Sequence, residues 1–148
     1  MNEIGCLIDD SRYNNSISTE IIEQDRQICS EKIKNLIGFK TTLYRLIKWD
    51  YNGNVAQASE DENQNAIKWS INLNSYKDLD ESEKWERLNN SIKNGDIIVF
   101  QNTTKQIAES LDKLLTNIEN KKIKVVPVSE LIYQNNFIVD NSGVQKQK

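Results

Sequence analysis

The chain has 148 residues, of which 37% are hydrophobic and 28% charged, and this composition suffices for one soluble domain with a hydrophobic core. Its net charge of −3 and its scattered lysines provide no basic surface for a nucleic-acid backbone, and no apolar run approaches the roughly 20 residues of a membrane span. It contains no histidine, which excludes Ser-His-Asp, Cys-His and His-metal chemistries together.

Strands alternate with amphipathic helices along the chain, a pattern typical of a parallel α/β architecture. The pattern predicts a first strand over Glu3–Ile8 and a helix over Thr19–Ile37, with Ser18 as its N-cap and Gly38 as its C-cap. The predicted inner face of this helix comprises Ile21, Ile22, Ile28, Cys29, Ile33, Leu36 and Ile37. Four further strands and a short last helix are predicted over Thr41–Arg45, Ala66–Ile71, Asp96–Phe100, Ile123–Val128 and Ser129–Tyr133.

The remaining helices are predicted from their start signals. The segment Val55–Asn65 should be helical by its position, but it lacks an apolar face, so a poorly packed helix is expected. Asp80 and Glu83 indicate a capping box for a helix that Gly95 ends, and Thr103 indicates the start of another. Residues 1–140 are therefore predicted to form one domain of about five β/α units, followed by a loose polar tail over 141–148.

Two features of the chain bear on its environment. Cys6 and Cys29 are its only cysteines and have no CxxC spacing, so we interpret both as plain, partly buried thiols rather than as a disulfide framework or a zinc knuckle. The first residues do not have the pattern of a signal peptide. As written, the chain is expected to be cytoplasmic.

Three segments carry a resemblance to a known family. Asn94–Asn102, Val125–Tyr133 and Asp140–Gln145 resemble the NodB-type polysaccharide deacetylases, particularly the clostridial sporulation-type members, and the likeness covers nearly the whole chain. It implies an α/β fold, an incomplete (β/α) barrel that lacks its first strands, with a site at the carboxyl ends of the strands. Members use a divalent metal, typically zinc, to remove acetyl groups from glycans such as peptidoglycan or chitin-like polymers, and they are usually exported.

The resemblance also implies that the metal site is lost. The family's first motif, which supplies the base and a metal-binding aspartate, has no counterpart in this chain. Two histidine ligands normally follow the sequence found at Glu3–Gly5, but their positions hold Leu7 and Ser11. Gln101 stands at the position of the histidine acid, and glutamine cannot relay a proton near neutral pH. No cofactor is therefore expected.

Other catalytic positions are degenerate as well. Arg45 is retained from the family's third motif, where it would orient the base, and without a base we interpret it as structural. Trp49 replaces the glycine that permits a tight backbone turn in that motif. Asn72 and Ser75 replace two aspartates of the fourth motif, so its negative charges are absent.

Aromatic and aliphatic residues remain as candidates for substrate contact. Trp49 and Tyr76 are predicted at strand ends, where their rings would stack on sugars, whereas Trp69 and Trp85 are predicted to belong to the core. Val99 corresponds to an aliphatic residue that lines the acetyl-methyl pocket in the family.

Three functions are compatible with these residues. The favoured view is a deacetylase-family protein without catalytic activity, which leaves two hypotheses. The first is a pseudoenzyme that binds a glycan or docks onto a partner, and the second is a fragment of a decayed gene. An open barrel edge would then drive self-association or require a partner that covers it. The third hypothesis is an active hydrolase that uses the substituted residues.

Overall fold

A computed structural model describes residues 2–9, 17–47, 55, 64–76, 79–100, 105–140 and 142–148. The chain divides into two compact units, Met1–Lys68 with Asn135–Lys148, and Trp69–Gln134. In the part of the chain that is described, no helix has both the length and the apolar character needed to cross a bilayer.

A three-stranded parallel sheet forms the centre of the first unit. Its strands are β1 (Cys6–Ile8), β2 (Leu43–Leu46) and β3 (Asn65–Ala66), in the order β1-β2-β3. Helix α1 (Thr19–Ile37) connects β1 to β2 and packs against β1. A helical crossover between neighbouring parallel strands is the expected β/α unit, so the predicted architecture is confirmed here.

The ends of helix α1 are fixed by local capping. The Ser18 hydroxyl accepts a hydrogen bond from the Ile21 amide at 3.4 Å, and the amide of Gly38 donates to the Lys34 carbonyl. Gly38 has a φ of 87°, a left-handed conformation that glycine adopts without steric cost. The predicted bounds and caps of this helix are confirmed.

The buried face of α1 differs from the predicted one. Ile22 and Arg26 are fully buried and Ser30 nearly so, because steps of four residues return to one side of the helix. Ile28 lies six residues beyond Ile22, about 120° around the helix, and is exposed. The prediction was wrong for the exposed residues Ile28, Leu36 and Ile37. Arg26 occupies the inner face instead, with its guanidinium 5.7 Å from the centre of the Tyr44 ring.

The core of the first unit lies between α1 and one face of the sheet. Its buried members are Cys6, Ile8, Ile17, Ile22, Tyr44, Leu46 and Val55. Val55 and Gln64 are the only described residues of the predicted Val55–Asn65 helix before Asn65, which belongs to strand β3. Alternate residues of β1 and β2 point into this core, so the residues between them lie on the opposite face of the sheet.

In its described residues, the second unit has two parallel strands and three α-helices. Its elements are β4 (Ile71–Asn72), a 3₁₀ helix (Leu73–Tyr76), α2 (Glu81–Ser91), β5 (Ile98–Val99), α3 (Lys105–Asn120) and α4 (Val128–Leu131). Ile71, Leu88, Leu114 and Ile118 form its core, and the partly buried Trp85 packs against them, as predicted. The predicted strand Ala66–Ile71 is divided between β3 and β4, which belong to different units.

Side-chain hydrogen bonds set the start of α2 and the register of β5. The Asp80 carboxylate accepts from the Glu83 amide at 2.8 Å, and the Glu83 carboxylate accepts from the Asp80 amide at 3.0 Å, which confirms the capping box. Helix α2 ends at Ser91 rather than at Gly95. The Ser70 hydroxyl donates to Asp96 at 2.7 Å and accepts from the Ile97 amide at 3.0 Å, which joins the starts of β4 and β5.

Two sequence predictions near the carboxyl terminus were wrong. Ile123–Pro127 does not form a strand, and Pro127 lacks the amide hydrogen that a strand ladder would need. The predicted loose tail instead forms a hairpin, in which β6 (Phe137–Val139) pairs with β7 (Gln145–Gln147). Asp140 closes its turn by accepting from the Ser142 and Val144 amides. In the described residues the strands form three small sheets without a closed barrel, which agrees with the expected incomplete barrel.

Candidate functional site

Two predicted site residues of the first unit are neighbours across strands β1 and β2. Leu7 and Arg45 are register partners, and their side chains leave the sheet on the face opposite the core. Leu7 is 50% exposed, whereas Cys6 and Ile8 on either side of it are buried. Arg45 is half-buried and donates to the Leu46 carbonyl at 3.4 Å. Ser11 and Trp49 lie outside the described residues.

The residues at this face do not fit a divalent metal. Zinc requires nitrogen, sulfur or carboxylate oxygen ligands, and the Leu7 side chain offers none of them. Among the described residues, no three histidine, cysteine, aspartate or glutamate side chains form a group that could hold a metal ion. The whole sequence contains no histidine that would complete one. The ligand set that the sequence resemblance implies for a deacetylase is therefore not reproduced here.

The second unit brings four predicted site residues together. Asn72 and Val99 are register partners at the carboxyl ends of β4 and β5, opposite the face on which Ile71 and Ile98 meet the core. The 3₁₀ helix follows β4 at once and carries Ser75 and Tyr76. Asn72, Tyr76 and Val99 are half-buried and Ser75 is exposed. We call these four residues the strand-end surface.

The strand-end surface is polar and aromatic in character. It presents one amide, one hydroxyl and one phenol beside the aliphatic Val99. The Arg87 guanidinium lies 5.2 Å from the centre of the Tyr76 ring, a distance at which a cation is attracted to the face of an aromatic ring. Gln101, the remaining predicted position of this region, lies outside the described residues.

A cleft elsewhere in the second unit is too small for a sugar. It is lined by Trp85, Leu88, Ile92 and Leu114 with two asparagines, and its volume of about 10 Å³ corresponds to a single water molecule. Since Trp85 contributes to this lining and to the core, it does not offer a stacking face. The strand-end surface is consequently the better candidate for ligand contact.

Sequence reasoning missed a pair of thiols in the core of the first unit. Cys29 on α1 packs against the core cluster that contains Cys6 of β1, and Arg26 lies close by. Burial first, and then the nearby Cys29, raise the pKa of the Cys6 thiol to about 12, while the Arg26 charge opposes the shift. The 22 residues between the cysteines gave no short-range signal, because the pairing depends on how the helix packs on the strand.

Comparisons with known proteins identify the fold. No family model and no curated protein matches the chain. The wild-type CE4 family pseudoenzyme BA3943 from Bacillus anthracis matches with a TM-score of 0.70 and 19% identity, over 81% of this chain and 42% of that one. A mutant of BA3943 with restored enzymatic activity matches with the same TM-score and 20% identity, over 81% of this chain and 44% of that one.

An active relative of the same fold matches as well. The peptidoglycan deacetylase PdaC from Bacillus subtilis has a TM-score of 0.62 and 17% identity, over 78% of this chain and 55% of that one. The chain thus spans less than half the length of BA3943 and just over half that of PdaC. Over about four-fifths of its residues, the chain has the fold of the CE4 polysaccharide deacetylases.

Proposed function

We propose that this chain is a catalytically inactive member of the polysaccharide deacetylase family that binds an acetylated glycan. The observation that carries the proposal is Leu7, an apolar, half-exposed side chain at a strand position where the family resemblance implies a metal-binding histidine. The CE4 fold, shared with the pseudoenzyme BA3943, supports the same conclusion.

The chemistry of deacetylation explains why these substitutions matter. A bound metal lowers the pKa of water from 15.7 to about 7 and thereby generates the nucleophile. Leu7 cannot ligate a metal, and the absence of histidine also removes the usual acid for the leaving group. Each 1.36 kcal/mol of lost transition-state stabilisation lowers the rate about tenfold, so the loss of both functions abolishes catalysis.

The proposed ligand is a polymer of N-acetylated sugars, such as peptidoglycan or a chitin-like glycan. On the strand-end surface, Asn72 and Ser75 can exchange hydrogen bonds with sugar hydroxyl and acetamido groups. Tyr76 offers its ring to the apolar face of a pyranose, and the nearby Arg87 guanidinium helps to fix the orientation of that ring. Val99 lies next to Asn72 and provides an apolar contact for an acetyl methyl group. PdaC, a protein of the same fold, is a peptidoglycan deacetylase, and this similarity supports the proposed class of ligand.

The proposal is tested by titrating the full chain with a chitin pentasaccharide and following backbone amides by NMR. We expect millimolar binding that shifts the amides of residues 72–76. Tyr76→Ala should weaken binding about tenfold, since loss of a ring contact costs on the order of 1.4 kcal/mol. Tyr133→Ala is the matched control, because Tyr133 is a 43% exposed tyrosine of the same unit outside this surface.

Catalysis is tested separately with the same oligosaccharide and with acetylated peptidoglycan. With or without added zinc, acetate release should stay at the level of a protein-free blank. Acetate release above that level would overturn the inactive assignment. Unchanged amides at saturating glycan, or equal weakening by the two tyrosine variants, would overturn the glycan-binding assignment.

A further inference from the structure

The packing of α1 on β1 places the two cysteines of the chain in the same core cluster. Cys6 is 3% exposed at the start of β1, and Cys29 packs against the same core cluster from α1 as a half-buried residue. Both thiols are reduced, and Cys29 is among the groups that raise the pKa of the Cys6 thiol. Nothing in the proposed glycan-binding function uses these groups, which lie on the core side of the sheet.

We propose that Cys6 and Cys29 form an oxidative modification site that closes into an intramolecular disulfide in the presence of hydrogen peroxide. The Cys29 sulfur first attacks the peroxide O–O bond, which gives Cys29 sulfenic acid and one water. The Cys6 sulfur then attacks the Cys29 sulfur, and the hydroxyl group leaves as a second water. Two S–H bonds and one O–O bond are broken, and one S–S bond is formed. The two sulfurs lose two electrons in total, which the peroxide accepts.

The difference in exposure sets the order of these steps. Cys29 is half-buried and is the thiol that peroxide can reach, whereas Cys6 is almost completely enclosed. Cys6 therefore acts as the resolving cysteine. Because both thiols belong to the packed interface between β1 and α1, its attack requires only a closer approach of the strand and the helix.

The closing step should depend strongly on pH. The groups that face the Cys6 thiol are Cys29 and Arg26 on α1, and the Tyr44 ring beneath Arg26 on β2. Because the pKa of Cys6 is about 12, the fraction of Cys6 present as the reactive thiolate rises about tenfold with each increase of one pH unit, as long as the pH is below 12. Closure should consequently be slow at pH 7 and about a hundred times faster at pH 9.

The disulfide would tie strand β1 to helix α1 and close a loop of about 24 residues. Restricting the unfolded chain in this way should raise the melting temperature by about 5–10 °C, and a dithiol reductant should reverse the change. The bond would stabilise the strand that carries Leu7, without covering the opposite face of the sheet.

The test treats the full chain with one equivalent of hydrogen peroxide at pH 9 and measures intact mass, free thiols and tryptic peptides. We expect a monomer lighter by two hydrogen atoms, no free thiol, and a linked peptide pair containing Cys6 and Cys29. Cys6→Ser should stop at a Cys29 sulfenic acid that dimedone labels. Cys29→Ser should retain its Cys6 thiol under the same conditions.

Several results would overturn the proposal. Two free thiols after treatment would show that β1 and α1 cannot bring their Cα atoms to the roughly 4.4–6.8 Å that a disulfide needs. A covalent dimer through Cys29, or dimedone labelling of the unmutated chain equal to that of Cys6→Ser, would also refute it. If Cys6→Ser fails to fold, the linked peptides and the pH dependence measured on the unmutated chain decide the question alone.

Discussion

Strand β1 permits a sharp comparison between its two faces. Ile8→Ala and Leu7→Ala each remove three carbons from adjacent residues, but Ile8 is 1% exposed and Leu7 is 50% exposed. At about 0.8 kcal/mol per buried CH₂, the Ile8 change loses about 2.4 kcal/mol of transfer free energy. The cavity left in the core raises the expected loss to about 3 kcal/mol. The Leu7 change loses about half the transfer term and leaves no enclosed cavity, so about 1 kcal/mol is expected.

Urea unfolding followed by circular dichroism measures both losses as differences in the free energy of unfolding. The ratio between the two variants matters more than either value, because both are made in the same strand with the same change in volume. Equal destabilisation by Leu7→Ala and Ile8→Ala would refute the reasoning, since it would require the outer face of β1 to be packed as closely as the inner face. In that case Leu7 would be a core residue rather than a surface residue at the position where the sequence resemblance implies a ligand.

Three further predictions concern the rest of the chain. The Ser142 hydroxyl first, and then the Lys146 ammonium at 2.9 Å and the Val144 amide, hold the pKa of Asp140 far below its ordinary value of 3.8. The stabilisation of the hairpin by Asp140 is therefore complete above pH 3.8 and is lost as the pH falls below that value. The NMR shift of the Val144 amide should be constant from pH 7 to 4. A titration midpoint of this shift at or above pH 3.8 would contradict the prediction. Asp80→Ala should cost about 1 kcal/mol and speed hydrogen exchange at the start of α2, whereas Asp80→Ser should restore most of the loss; equal exchange in both variants would count against the cap. Within the described residues β1 pairs on one side only, so light scattering should show self-association as concentration rises, and a monomer throughout would refute the open edge.

Both ends of α1 and the start of α2 were predictable because their signals are local, whereas the end of α2 at Ser91 was not. Ser18 and Gly38 mark the limits of α1, and Asp80 with Glu83 marks the start of α2, through hydrogen bonds that span three or four residues. A capping residue acts on the turn beside it, whatever the rest of the chain does. The sequence therefore contains the whole cause of these features.

Strands were less predictable because each needs a partner from a distant part of the chain. Ile123–Val128 has the apolar composition of a buried strand but forms no ladder, whereas the polar Gln145–Gln147 pairs with Phe137–Val139. The turn at Asp140 brings the polar strand beside Phe137–Val139, because the Asp140 carboxylate accepts hydrogen bonds from two amides of the loop. Composition thus predicted a buried strand over Ile123–Val128 where none forms, and it gave no sign of the strand pairing of Gln145–Gln147.

The residues of the candidate site were chosen one by one from the sequence, but their arrangement could not be predicted from it. The positions of Leu7, Asn72 and Val99 followed from a resemblance in sequence. Their placement on strand faces opposite the core required the register of β1 with β2 and of β4 with β5. The placement of Cys6 and Cys29 in one core cluster is of the same kind, since it depends on the rotation of α1 that buries Arg26.

The alternation of β1 accounts for a fold that persists in a chain that, as we propose, has no catalytic activity. Cys6 and Ile8 point towards α1 and contribute to folding, while Leu7 between them points away and contributes little. A ligand at that position can be replaced without removing any contact of the core, so selection for stability does not protect it. The same reasoning predicts that Leu7→His is tolerated, with a change in unfolding free energy of about 1 kcal/mol or less, whereas Ile8→His would bury an unpaired imidazole and unfold the unit.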